Sequence, residues 1–186
     1  MSERDWQHVL VNELVAAANP GSPRRAVLAR LRQGLAVQRR NAGRLTYISL
    51  TGTEGLFRAV PPRDELAAVL AAGLFAWSCG KSEHVAGRNF GAAFGRNLNR
   101  DDKMRREKRL IDLLDTDETE LPYKLSQAVS LMAAGGVALD WALLIRHIDN
   151  WSHPSRWVQT AWARDFWSAP TTEDAASSEQ SPPTTP

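Results

Sequence analysis

The chain has 186 residues, 43% of them apolar and 24% charged, with a formal net charge of +2. That length suits one compact domain with its own core and hardly two, and those shares belong to an ordinary globular protein. The single cysteine, Cys79, excludes an internal disulfide and fits a reducing compartment.

The start, MSERDWQHV, lacks the apolar stretch of a signal peptide. The longest apolar run, 66–79, is shorter than the roughly 20 residues that span a membrane. A soluble, cytoplasmic protein is expected.

Taken in chain order, the predicted elements are helices. Trp6, Val9, Leu10 and Leu14 recur at helical spacing over about 3–18, and NPGSP ends that helix. Ser22 is placed to cap a second helix with Pro23 in its first turn, turning Val27, Leu28, Leu31 and Leu35 inward. Between Asn41 and Pro62 the signals conflict, since LTYISL suits either a short strand or a helix interrupted by TGTEG. A helix rich in Ala and Leu follows over about 63–77. The stretches 88–98, 100–114 and 120–134 each suit another, the last ended by Gly135-Gly136. In VALDWALLIRHIDNW, Asp140 can cap a helix while Leu139 staples onto Leu144, and Trp141, Leu144, Ile148 and Trp151 then share a face. Pro154 opens a final helix with Val158, Trp162 and Phe166 along one side. Seven or eight helices and no convincing strand pair predict an all-α, single-domain helical bundle over 1–167. From Ser168 the sequence SAPTTEDAASSEQSPPTTP holds three acids, no cation and no aromatic. It reads as a disordered acidic Ser/Thr/Pro tail, 168–186.

The charge is unevenly spread. Residues 21–63 carry nine arginines against one acid, Glu54, and residues 81–109 carry nine cations against four acids. Removing the three acids of the tail takes the net charge from +2 to +5. A basic body suits an anionic partner as well as it suits a mixed, solvated surface.

Several features imitate catalytic chemistry. Gly80-Lys81-Ser82 ends like a phosphate-binding loop, but Phe75 stands where the first glycine of that loop belongs, and a helix rather than a strand precedes it. His147, Asp149 and His153 straddle a helix end without metal-ligand spacing, so surface or capping roles are expected. Cys79 has no local base to activate it. The sequence points to no enzyme, no cofactor and no metal. Trp141, Trp151 and Trp162 lie on apolar stripes and are expected in the core rather than on nucleic-acid bases; Trp157 and Trp167 suit an interface.

The order of WSCGKSEH, GRNFGAAFG, EKRLIDLLDTD, LPYKL, LDW with Trp151 ten residues beyond Trp141, and WARDFW resembles the CasB family, the small subunit of the type I-E CRISPR surveillance complex Cascade. The resemblance runs from about Pro62 to Trp167, with a looser fit through the helix holding AVLARLR. It implies an all-helical, non-catalytic protein that sits as two copies beside the Cascade subunits holding the guide RNA. It also implies a basic surface that holds single- and double-stranded DNA, target and displaced strands alike, without regard to sequence.

Some members of that family carry basic residues where this chain has Asp115, Asp117 and Glu118, and again where it has Ser126 and Gln127. The surface is therefore expected from Arg24, Arg25, Arg30, Arg32, Arg63, Arg96, Arg100, Lys103, Arg105 and Arg106, since arginine can offer a phosphate two donors. On a helix through 100–114, Met104, Ile111 and Leu114 would form the buried seam with Leu110 at its edge. Arg105, Arg109 and Asp112 would share another face, with Lys103 and Arg106 on a third. Glu107-Lys108-Arg109 matches the Glu-x-Arg pattern of the family, which implies an internal ion pair for Arg109. Two other readings stay open: a purely architectural subunit that docks on proteins, and a helical DNA-binding regulator, which the missing glycine turn of a helix-turn-helix disfavours.

Overall fold

The structure, a computed structural model, describes residues 6–39, 53, 55–78, 84–96 and 98–172. LTYISL, most of TGTEG, Cys79, the Gly80-Lys81-Ser82 triplet and residues 173–186 lie outside them. Among the described residues eight helices follow in order: α1 (Trp6–Ala18), α2 (Arg25–Gln38), α3 (Glu65–Ser78), α4 (Phe90–Phe94), α5 (Arg100–Leu114), α6 (Leu121–Ala134), α7 (Trp141–Asp149) and α8 (Trp157–Ser168). A single 3-10 turn, Pro62–Asp64, leads into α3. Among the described residues the extended pairing amounts to one parallel bridge, His84 to Leu139. The fold is all-α, as the periodicities predict.

α3 explains the arrangement. Residues 67–76 are buried without exception, and a helix apolar on every side belongs at the centre of a bundle. α1, α2, α6 and α7 pack around it. The approach of α2 is close because Gly73 faces Leu35, where an added Cβ would sit 3.0 Å from the Leu35 Cβ. α2 contributes Val27, Leu28, Leu31 and Leu35, all buried as predicted. α1 contributes Trp6, Leu10 and Leu14, with Val11 in place of the exposed Val9.

The segment before α4 is laced to the start of α7. The Val85 N–H donates to the Leu139 carbonyl at 3.0 Å, and the Asp140 N–H to the Arg88 carbonyl at 2.8 Å. The Asp140 carboxylate accepts from Leu143 N at 3.0 Å, which is the predicted cap, and also from Gly87 N at 2.7 Å. Leu139 and Leu144 are both fully buried, in keeping with a hydrophobic staple.

An aromatic seam joins α4 to α8. Phe90 stacks on Trp162 with centroids 4.3 Å apart, and Trp151 lies 5.1 Å from Trp162. Trp141 meets Phe75 edge to face at 5.3 Å. Trp141, Trp151 and Trp162 are all core residues, none more than 2% exposed. The Trp151 indole N–H donates to the Thr116 carbonyl at 2.9 Å. That of Trp162 donates to His147 Nδ1 at 2.7 Å.

His147 is thus neither a surface nor a capping residue; it is 3% exposed. Burial, followed by the nearby Arg146 cation, pushes it down to about 4. The bond from Trp162 requires a lone pair on Nδ1, so protonation there would break it. Because the folded value lies below the usual 6.5, the unfolded chain binds the proton first on acidification. Stability is therefore lost as pH falls through 6.5 and the loss levels off near 4, at about 3 kcal/mol for a shift of this size. His147→Asn, whose Oδ1 takes the place of Nδ1 and does not titrate, is expected to flatten that part of the curve in urea unfolding at stepped pH. Parallel curves for parent and variant would contradict a neutral buried His147.

Several features differ from expectation, among them the start of α2, whose N-cap is Arg24 rather than Ser22. The helix predicted over 88–98 is only Phe90–Phe94, because Asn89 caps it by accepting from Ala92 N at 2.9 Å and Gly95 ends it. The last helix starts at Trp157 rather than at Pro154, since His153 to Ser155 make a turn in which His153 Nδ1 accepts from Ser155 N at 3.3 Å. The buried seam of α5 is Leu110, Leu113 and Leu114, whereas Met104 and Ile111 are 68% and 45% exposed. Only the C-terminal end of that helix reaches the core, so a stripe drawn along its whole length misplaces the seam. The tail does not begin at Ser168: Ala169 and Thr171 are buried, and the Thr172 N–H donates to the Leu98 carbonyl at 3.0 Å. These residues dock because Ala169 covers the close approach at Gly95.

Candidate nucleic-acid interface

Asn99 starts α5 by accepting from Asp102 N at 2.8 Å. Asp101 and Asp102 occupy the first turn, where acids complement the helix dipole. The cations then divide by face. Arg105 and Arg109 point outward; Arg105 pairs with Asp102 at 3.0 Å with its side chain 75% exposed. Arg109 makes no ion pair among the described residues. The internal pair implied for Arg109 is therefore corrected: its side chain is exposed.

Lys103 and Arg106 turn inward instead. Lys103 donates to the Ala169 carbonyl and, at 3.4 Å, to that of Trp167. Arg106 lies over the Phe94 ring at 5.2 Å and donates to the carbonyls of Phe94, at 3.1 Å, and Leu131, at 3.5 Å. Burial holds the Arg106 guanidinium below its ordinary value. Both side chains fasten α5 to the body through bonds to carbonyl oxygens.

The arginines of α2 divide too. Arg24 sits at the N-terminus of α2, paired with Glu13 beside a cleft shared with Arg58. Arg25 and Arg30 are exposed on the first turns. Arg32 donates through Nε to the Ala76 carbonyl at 2.6 Å, near the end of α3. Arg63 lies 3.6 Å from Asp64 and lines a different cleft, with Leu66, Glu118 and Asp149. Arg96 follows α4 and Arg100 opens α5, both exposed. The predicted cations therefore do not converge on one cleft.

A different set does converge. Between α2, α3, α5 and α6 lies a groove of about 440 Å³ lined by Arg39, Trp77, Arg109, Asp112, Lys124 and Gln127. Its basic members outnumber its acid. Lys124 is bonded to Asp112, which raises the Lys124 ammonium above its ordinary value and keeps it charged. The Arg39 guanidinium lies over the Trp77 ring at 5.6 Å and over the Tyr123 ring at 5.5 Å. Charge runs alone did not single out Arg39, Arg109 or Lys124. The available signal was LPYKL, which sets Tyr123 and Lys124 off the Leu121–Leu125 stripe of α6 and hence on its outer side.

Other chemistries find less. Among the described residues, no group of three His, Cys, Asp or Glu side chains could hold a metal ion. No helix among them is long and apolar enough to cross a membrane.

Comparison with known proteins agrees with the family resemblance. A curated CRISPR-associated protein Cse2 of Thermus thermophilus is 32% identical over 110 residues, 59% of this chain and 61% of that protein. The match thus spans about three fifths of the relative's length. Among solved structures, M. ruber CasB superposes with a TM-score of 0.65 at 25% identity, covering 95% of this chain and 98% of that one. CasB of Thermus thermophilus gives 0.66 at 24%, covering 90% and 99%. A chain of a CRISPR RNA-guided surveillance complex gives 0.69 at 20%, covering 96% and 99%. At such identities these last two likenesses speak to the fold. The family model for CRISPR-associated protein Cse2 matches residues 27–167, well over half of the chain, which therefore belongs to the Cse2 family of CRISPR-associated proteins.

Proposed function

We propose that this chain is a non-catalytic small subunit of a type I-E CRISPR Cascade complex that holds DNA strands without regard to sequence and so stabilises the R-loop. The observation that carries the reading is the groove between α2, α3, α5 and α6, where Arg39, Arg109 and Lys124 stand against the single acid Asp112. Cations at intervals along a groove suit a phosphate backbone of any sequence, because phosphates position a strand while base edges specify it. The fold shared with a chain of an RNA-guided surveillance complex supports other Cascade subunits with guide RNA as partners; a second copy of this chain rests on the family resemblance alone.

The exposed Arg25, Arg96, Arg100 and Arg105 extend the surface. Arg24 and Arg63 line other clefts and, with Arg30 and Arg32, add positive charge to the body outside the groove. Lys103 and Arg106 act through position, by holding α5.

The reading is tested by salt. Log affinity for DNA should fall linearly with log salt, by roughly 0.7–0.9 per phosphate neutralised. Arg109→Ala, which removes an exposed side chain, is expected to weaken binding to every sequence alike, lower the slope by about one phosphate and leave the melting temperature unchanged. Affinity and slope equal to those of the parent would remove Arg109 from the interface. If every outward cation behaved so, the architectural reading would remain. That second reading has an observation of its own: Met104 and Ile111 stand exposed on α5, where a protein partner could cover them.

A further inference from the structure

Trp77 lines the groove, and a second ring, Tyr123, stands beside it against the Arg39 guanidinium; neither belongs to the hydrophobic core. Trp77 is the next-to-last residue of α3, a helix buried over its preceding turns, yet it is 44% exposed; Tyr123, near the start of α6, is also 44% exposed. The indole is not loose. Its N–H donates to Ser130 Oγ at 2.8 Å, and that hydroxyl donates in turn to the Ser126 carbonyl at 2.7 Å. The Arg39 guanidinium lies within 5.6 Å of both ring centroids. Among the described residues its buried Nε has no hydrogen-bond partner, and the two rings flank the guanidinium. An indole pinned in place and left half in water, with Arg39 over one face, stands beside the cations of the groove.

We propose that Trp77 and Tyr123 stack on unpaired bases, so that the strand taken by this groove is single-stranded nucleic acid. The proposal rests on the strand-binding reading above and names its substrate class. In a duplex each base is covered on both faces by its neighbours, and only edges and phosphates reach a protein. A ring half-exposed beside Arg109 and Lys124 can meet a base face only when the base is unpaired. Stacking tolerates any sequence, because every base has a π-face. It thus adds strand selectivity while leaving sequence unread.

The test uses the full chain and four probes of equal length: oligo-dT, oligo-U, a DNA duplex, and an abasic strand with the same phosphates and no bases. Fluorescence anisotropy is expected to show oligo-dT and oligo-U binding about tenfold more tightly than the abasic strand. Trp77→Leu and Tyr123→Leu should each lose about tenfold for oligo-dT, with duplex affinity and salt slope unchanged. Trp77→Phe and Tyr123→Phe should retain most of the affinity, since a ring remains.

The comparison of oligo-dT with the abasic strand needs no variant and stands even if a Leu variant folds poorly. Equal binding of those two probes overturns the stacking proposal while leaving phosphate binding intact. Duplex binding that falls in step with strand binding in the Leu variants overturns it too. Binding of all four probes without salt dependence would instead sink the strand-binding reading underneath.

Discussion

Trp162→Ala is expected to lose about 5 kcal/mol of folding stability, near the whole of what holds a marginal domain together. Removal of a large buried aromatic costs roughly 3–5 kcal/mol. Trp162 has no exposed surface and stacks on Phe90 at 4.3 Å, so a site walled by α4 and α7 collapses poorly into the space. The variant also strips His147 Nδ1 of its donor, and an unpaired buried acceptor adds about 1–3 kcal/mol. For a domain of this size, a fall in Tm of about 10–20 °C follows. A fall of only one or two degrees would show that α8 contributes little to the core.

Gly91→Ala comes next. A Cβ at Gly91 would sit 2.0 Å from the Trp162 carbonyl oxygen and 2.6 Å from its carbonyl carbon and Cα. The obstacle is backbone, so no rotamer change relieves it and α4 must move off α8. A loss of about 3 kcal/mol or more is expected, at or above the usual range for overpacking. Gly135→Ala is the control, since its Cβ would find the Met132 carbonyl oxygen at an ordinary 3.5 Å. Urea unfolding of both variants separates a packing demand at position 91 from a general intolerance of alanine for glycine. Equal midpoints would show that α4 and α8 part without cost.

The same seam shows what could be read from the sequence and what could not. Val158, Trp162 and Phe166 lie at helical spacing, and the core face of α8 follows from that alone. Asp140 and Leu139 announce the start of α7 because capping is local chemistry. The seam of α5 was misread because Met104 and Ile111 have the spacing of a core stripe, while nothing in the local pattern tells that the bundle reaches only Leu110, Leu113 and Leu114. The candidate site was harder still. Trp77, Arg109 and Lys124 come from three helices and Arg39 from the C-cap of a fourth, and their meeting is a property of the tertiary arrangement. The charge runs marked many cations, but counting could not separate Arg109, which faces water, from Arg106, which is half-buried and bonded to carbonyls.

The attachment of α5 has a dynamic consequence. Its buried residues all lie in its last two turns. The earlier turns are tied to the body by the polar arms of Lys103 and Arg106. The helix is built as a cantilever, clamped by the core at one end and propped by two removable struts along the rest. Releasing the struts exposes little apolar surface, so the first turns open locally at far lower free energy than the last ones, which open only with the whole core. The half of α5 that bears most of the charge is therefore the half that can shift a few ångströms to follow an irregular partner without unfolding the domain.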